Sequence, residues 1–206
     1  MSVNKIKRFA FIDVQNTAST TTQLLGFVVD WHRLYEYLTD KWMCDKVFFY
    51  SGIAKEDIET INEFALLSKA GCMVKMKTYY SYKKPDKRVT IKCKKCGCEN
   101  LIRLSMGNRH KSNCDVDLTV DAMEEAGFNK EFLIFTGDGD FDCLIQKVVE
   151  MGTKVYIVSS NAGIIKPGLN TKRLSSRLKT IIKQYDQGVI NLIDINSWKI
   201  RIEKKV

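Results

Sequence analysis

Long apolar runs are missing from this sequence. No uninterrupted stretch approaches the roughly 18 residues that span a bilayer, and the opening residues, MSVNKIKRF, pass into a strand-like segment without the apolar core of an export signal. The expectation is a cytoplasmic protein with no membrane partner. Histidine and proline each occur only twice in 206 residues, so a histidine-built metal centre has few donors to draw on. There is no internal repeat and no long low-complexity linker, which excludes a solenoid or a string of tethered modules. With 45% hydrophobic residues the chain is neither disordered nor fibrous and can bury one substantial core. One domain spanning 1–206 is expected, with a small insert at 83–114.

Cysteine is not scarce. Three of seven crowd into CKKCGC, and without an export signal they read as reduced thiols or metal ligands rather than disulfides. The formal charge is +9. A surplus of this sign suits a polyphosphate partner, held through counterion release, and equally suits plain solubility. Its distribution adds a little. Lys75 to Lys95 carries nine basic residues interleaved with Tyr79, Tyr80 and Tyr82, and KRLSSRLK places Lys172, Arg173, Arg177 and Lys179 at roughly helical spacing. Cations beside aromatics suit single-stranded nucleic acid, whose bases stack while its phosphates pair. A solvated face would look the same.

Strand and helix patterns alternate along the chain. RFAFIDV (Arg8–Val14) reads as a buried strand. A polar loop of threonines follows around Thr17–Gln23, then a helix in DWHRLYEYLTDKW with Trp31, Leu34, Tyr35 and Leu38 at helical intervals; His32 is a helix-face residue with no assigned role. KVFFYSG and CMVKMKTYY read as strands around a helix closed by Gly71. Beyond the insert come a helix stopped by Gly127, the strand EFLIFTG, a helix stopped by Gly152, and the strand KVYIVSS. Short apolar strands alternating with helices predict an α/β protein with three α/β/α layers and a mainly parallel sheet. Ligands in such sheets bind beyond the carboxyl ends of the strands, where the strand order reverses.

That is where the acids fall. Asp13 ends the first strand, FTGDGDFD places Asp138, Asp140 and Asp142 just after another, and Asp115 opens the DVDLTVDAM helix, with Asp117 and Asp121 in reserve. Gathered carboxylates repel one another and lose hydration, so a site that holds them usually supplies a cation. Oxygen donors without a nearby histidine favour Mg²⁺ or Mn²⁺ over zinc, the equipment for phosphodiester hydrolysis. Asn16 is placed to orient water or a phosphate. The plainer reading makes Asp115, Asp138 and Asp140 helix or turn caps. Asp13, however, caps no obvious helix, and an unpaired acid closing a buried strand is costly.

At these residues the chain resembles the NYN domains, in particular the LabA-like group of PIN-like nucleases. FAFIDVQN resembles their apolar-apolar-Asp-x-x-Asn strand, NCDVDLTVDAM their Val-Asp-x-x-Leu-x-x-Asp helix, and FTGDGDFDCLIQKV their Ser-Gly-Asp-x-Asp-Phe motif. The likeness covers roughly residues 8–195 outside the insert. It implies a metal-dependent ribonuclease of PIN-like fold, with catalytic acids at Asp13, Asp115, Asp138 and Asp140, and Asp142 as a second-rank ligand. Val14 stands where the family usually has Gly, and Thr136 where it has Ser; neither change removes a ligand.

In the insert, Cys93 and Cys96 have the Cys-x-x-Cys-Gly form of a zinc knuckle, and His110 with Cys114 offers a second pair, although Cys98 leaves the choice open. A closed knuckle of this kind would orient Asp115, next to Cys114, and present Lys92, Lys94, Lys95 and Arg103 beside the cleft. Two rival functions remain. A haloacid-dehalogenase-type phosphatase would need a second acid two residues after Asp13, where Gln15 stands. An RNA-binding module without turnover, as a monomer or a homodimer, would keep the fold and the basic surface.

Overall fold

A computed structural model describes residues 5–111, 114–166, 169–186 and 188–205, and only the backbone of 81, 108–111, 164–166 and 169–171. Its centre is a six-stranded sheet. Strands β1 (Lys7–Asp13), β2 (Lys46–Ile53), β3 (Met73–Thr78), β8 (Lys130–Phe135), β9 (Lys154–Ser159) and β12 (Ile190–Asp194) lie in the order β12-β9-β8-β1-β2-β3, and every neighbouring pair is parallel. The order reverses between β1 and β8, whose register sets Ile12 beside Phe135.

Alternation in β1 feeds two cores. Ala10 and Ile12 point to one face, where they meet Trp31, Leu34 and Leu38 of α2 (Trp31–Asp40) and Phe64 and Leu67 of α3 (Ile58–Lys69). Phe9 and Phe11 point to the other face. There they meet Leu118 and Ala122 of α4 (Cys114–Glu125), Leu144, Ile145 and Val148 of α5 (Asp142–Glu150), and Leu178 and Ile181 of α6 (Ser176–Gln184). Because both faces are covered, the central strands β1, β2 and β8 are apolar over most of their length, while the edge strand β3 carries Lys75 and Lys77. The protein is therefore a three-layer α/β/α sandwich.

Local signals start and stop these helices. Asp30, Asp57 and Ser175 accept the backbone N–H of Arg33, Thr60 and Leu178 at 3.0, 3.1 and 3.2 Å, each satisfying one of the free donors of a first turn. Gly71 and Gly152, at φ +109° and +93°, end α3 and α5 in a backbone region that other residues avoid.

Four features depart from the sequence reading. The threonines around Thr17–Gln23 are not a loop: α1 (Val14–Ser19) runs into a π-helical turn over Thr20–Leu24. Thr21 and Thr22 both donate their hydroxyls to the Ala18 carbonyl, at 3.2 and 2.6 Å, the kind of back-bonding that bends a helix. Secondly, Asp13 does cap a helix, since its carboxylate accepts the Asn16 N–H at 3.1 Å. Thirdly, the insert carries strands: β4 (Tyr80–Lys83) pairs with β7 (Asn108–Lys111), and nested within them β5 (Lys87–Lys92) pairs with β6 (Glu99–Leu104). Fourthly, β10 (Gly163–Lys166) and β11 (Leu169–Lys172) form a further hairpin that the sequence did not announce. Among the described residues no helix is long and apolar enough to cross a membrane.

Candidate active site

The β1/β8 switch point brings Asp13, Asp115 and Asp138 within electrostatic reach of one another, while Asp140 is not among the charges that act on Asp13. Among the described residues the acids do not form a group whose oxygens all lie within 4.8 Å. Asp13, at the end of β1, is half-buried, and the charges of Asp115 on α4 and Asp138 after β8 both act on it. Its carboxyl is pushed up to about 7, mainly by burial and then by these two carboxylates, against the pull of the Asn16 and Gln15 backbone N–H groups. No lysine or arginine pairs with Asp13 among the described residues. Asp138 is exposed and caps a 3-10 turn, Gly139–Phe141, by accepting the Asp140 N–H at 3.0 Å. The capping reading of Asp138 is thus correct in geometry, and it uses one carboxylate oxygen, leaving the other free for other work.

The loop after β8 is tied down on all sides. Thr136 Oγ1 accepts from Asp138 N at 3.1 Å, and Gly137 N donates to Asn16 Oδ1 at 2.8 Å, so Asn16 joins the two acid-bearing strand ends. Its amide oxygen is thereby committed, while Nδ2 has no partner among the described residues. Gly137 O accepts from Ser175 N at 2.9 Å. A Cβ at Gly137 would collide with the Arg173 carbonyl, and one at Gly139 would lie 2.9 Å from Ser175 Oγ. The segment 173–177 therefore lies directly against the Gly-Asp-Gly-Asp loop. It brings Arg177, whose guanidinium is 3.8 Å from the carboxylate of Asp140, a pair exposed enough to contribute little stability. The two glycines flanking Asp138 were the sequence signal for this close approach, and the placement of Arg177 beside the acids was not legible without it.

Asp140 is 88% exposed at its side chain and turned toward Arg177. Asp142 begins α5, half-buried, and accepts the Cys143 N–H at 2.7 Å. Gln15 points away from the acids, bonding Ser51 Oγ at 3.1 Å and Gly52 through both ends of its amide, at 2.7 and 3.1 Å. It pins the end of β1 to β2.

The reserve acids serve a different purpose. Along α4, Asp117, Asp121 and Glu125 recur every fourth residue and face lysines of β2 and β3: Lys77 pairs with Asp117, Lys75 with Asp121 at 2.7 Å, and Lys46 with Glu125 at 2.5 Å. Asp121 is buried and also accepts the Tyr50 hydroxyl at 2.7 Å; burial and this neighbour raise the phenol's pKa. Lys75 and Lys77, counted in the basic run, are thus partners of α4. Cys114, at the start of that helix, is 4% exposed and packed in the core beside Phe11 and Leu118. Its burial fixes the first turn of α4 and hence the position of Asp115.

The other thiols gather elsewhere. The sulfurs of Cys93, Cys96 and Cys98 all lie within 4.8 Å of one another at the tip of the β5–β6 ribbon, and Cys114 is not among them. Hydrogen bonds from Cys98 and Cys93 lower the Cys96 thiol to about 7. His110 falls in β7, where side chains lie outside the described residues. Lys92, Lys94, Lys95 and Arg103 are exposed on the same ribbon, Lys92 opposite Glu99 and Arg103 opposite Arg88. Lys172 is exposed at the end of β11. Arg173 is half-buried, with one guanidinium nitrogen on Gln23 and Nε buried without a partner among the described residues. Tyr80 and Tyr82, 71% and 58% exposed, stand at the base of the insert.

Comparison with known proteins agrees with this architecture. No curated protein matches the chain. Among solved structures, VPA0982, a protein of unknown function from Vibrio parahaemolyticus, is similar with a TM-score of 0.60 at 22% identity, over 95% of this chain and 98% of that one. That likeness extends to the fold alone. Phosphofructokinase-2 from Escherichia coli, at a TM-score of 0.33 and 14% identity over 71% of this chain and 41% of its own, is too distant to bear on fold or function. The family model of the NYN domain matches residues 9–177, from the middle of β1 to the segment over the acid loop. The chain therefore belongs to the NYN domain family, within the PIN-like nuclease superfamily, whose enzymes use divalent metals.

Proposed function

We propose that the protein is a divalent-metal-dependent endoribonuclease in which Asp13, Asp115, Asp138 and Asp140 hold Mg²⁺ or Mn²⁺ and the basic surface holds RNA. The observation that carries this reading is the state of Asp13. A carboxyl held up to about 7, between two other carboxylates and with no cationic side chain paired to it, is a site whose charge balance is incomplete. Oxygen-only donors fit a hard divalent ion, which would supply Lewis-acid activation of water and stabilise charge developing on the phosphate.

The chain's own groups do the rest. A cation held by Asp13 would favour its ionised form, so binding would be coupled to proton release near neutrality. Asn16 and the Thr136 hydroxyl hold the two strand ends in register, fixing the spacing between Asp13 and Asp138. Arg177 stands beside Asp140, and its guanidinium suits a phosphate oxygen. On the ribbon, Arg88 lies directly across from Arg103. Like charges in that position repel, and a polyanion lying along the strands relieves the repulsion. Exposed Tyr80 and Tyr82 offer faces for unpaired bases, which favours a single-stranded substrate.

The test is cleavage of labelled single-stranded RNA with Mn²⁺, with Mg²⁺ and with EDTA, comparing the wild type with Asp138→Asn. Metal-dependent cutting that disappears in the variant, with RNA still bound, is the expected result. RNA binding without cutting by either protein would instead support a module that recognises RNA without turning it over.

A further inference from the structure

Among the described residues the β5–β6 ribbon has no buried face. Of its strand residues only Val89 is even half-buried, while Ile91, Leu101 and Leu104 are 50%, 61% and 47% exposed. A two-stranded ribbon without a packed face is marginal in water by itself. Something other than a core has to hold this one in shape, and its tip carries the means.

The turn that joins the strands is closed by two backbone hydrogen bonds of 2.9 Å, from Gly97 N to Cys93 O and from Cys93 N to Cys98 O. Gly97, at φ +73°, lets the chain double back so that Cys96 and Cys98 both face Cys93. Tetrahedral zinc with Zn–S bonds near 2.3 Å places its sulfurs about 3.8 Å apart. The three sulfurs here lie within 4.8 Å of one another, with Cys96 and Cys98 at 2.8 Å, so small side-chain rotations reach that spacing. Backbone N–H groups of Cys96 and Cys98 point at the Cys96 sulfur and favour its thiolate, while the hydrogen bond to Cys96 pushes the Cys98 thiol up. Lys92, Lys94 and Lys95 add positive charge next to it.

We propose that Cys93, Cys96 and Cys98 bind one zinc ion through three thiolates, and that the ion pins the ribbon bearing Lys92, Lys94, Lys95 and Arg103. This differs from the set suggested by sequence spacing, because Cys114 is spent in the core and Cys98 takes its place. The fourth donor of a tetrahedral ion then comes from outside this triad. The three cysteines share no ligand with the acid site, and the inference holds whether or not that site cuts RNA.

The experiment uses the full chain, purified under reducing conditions and freed of metal, then given Zn²⁺ alone. Native mass spectrometry counts the ions, competition with a chromophoric chelator gives the affinity, and limited proteolysis probes residues 84–107. One zinc per wild-type chain is expected, with affinity lowered more than about tenfold in Cys96→Ser and in Cys98→Ser. In Cys114→Ala, with its fold checked by circular dichroism, affinity is expected to be unchanged. Zinc should slow proteolysis within the ribbon. A wild-type chain that takes up no zinc overturns the proposal, as does a Cys98→Ser chain of undiminished affinity or a folded Cys114→Ala chain that loses the ion. Equal proteolysis with and without bound zinc overturns the pinning of the ribbon.

Discussion

Replacing Asp13 with Asn should make the metal-free protein more stable at neutral and alkaline pH, and the size of the gain should depend on pH in a defined way. The Asp13 carboxyl is raised from 3.8 to about 7 in the folded state. Below its unfolded value both states carry the proton and the charge is no burden. As pH rises from there toward 7, the unfolded chain releases the proton while the folded chain keeps it, so stability falls by about 1.4 kcal/mol per pH unit. Above 7 the loss is complete and the curve is flat. The full loss is about 4 kcal/mol, and solvent reaching a half-buried site reduces it to about 2–4 kcal/mol. Asn keeps the shape and never ionises, so the stability gap between variant and wild type should open by that amount between roughly pH 4 and pH 8. Urea unfolding in EDTA, followed by circular dichroism at several pH values, measures it. Adding Mn²⁺ at pH 8 should recover most of the deficit in the wild type and little in Asp13→Asn. A gap that stays constant to within about 0.5 kcal/mol across that range would refute the account of Asp13 as an uncompensated acid.

Three other outcomes follow from the same structure. At sub-saturating Mn²⁺, RNA cleavage should fall as pH drops below about 7, because the Asp13 proton then competes with the ion, and extra Mn²⁺ should restore it; a flat rate from roughly pH 8 to 4 would contradict this. Gly137→Ala should cost about 1–3 kcal/mol and depress cleavage further than the stability loss explains, since the added methyl collides with the Arg173 carbonyl and displaces the acid loop; an unchanged melting temperature would sink the packing argument. Tyr50→Phe should lower the stability by about 1.5–3 kcal/mol by removing the 2.7 Å hydrogen bond to buried Asp121, a loss that thermal unfolding at pH 7 would register.

The sheet and its helices were legible because their signals are local and periodic. Apolar strands of five to eight residues, with helices stopped at Gly71 and Gly152, leave few alternatives to a parallel sheet covered on both sides. The meeting of Asp13 with Asp138 followed from topology, given only that their strands adjoin at the reversal of strand order. What could not be read depended on which long-range partner a residue finds. Asp117 and Asp121 look like Asp115 in sequence, and only the lysines of β3 show that they belong to a ladder. Cys114 looks like Cys98, and only the packing of α4 buries one and leaves the other exposed at the tip of a ribbon. The helix after Asp13 was hidden for another reason. Its threonines carry weak helix propensity, and the cap that starts it is the same acid that the metal reading claims.

That double use of Asp13 bears on how the site is built. This chain has basic residues in excess and places them against buried or half-buried acids where an acid serves structure: Lys75 on Asp121, Arg8 and Lys154 on Glu131, Lys46 on Glu125. Each of these pairs sits on or beside the same sheet as Asp13. Yet Asp13, raised to about 7 by burial and like charge, receives only backbone N–H groups. Those hydrogen bonds hold its carboxylate in one orientation without neutralising it, which is what a ligand awaiting a cation requires. A lysine in that place would recover the lost stability and would occupy the position of the ion. On the proposed reading the deficit at Asp13 is a stability cost retained for function, and the amount of it that Mn²⁺ returns in the unfolding experiment tests that reading.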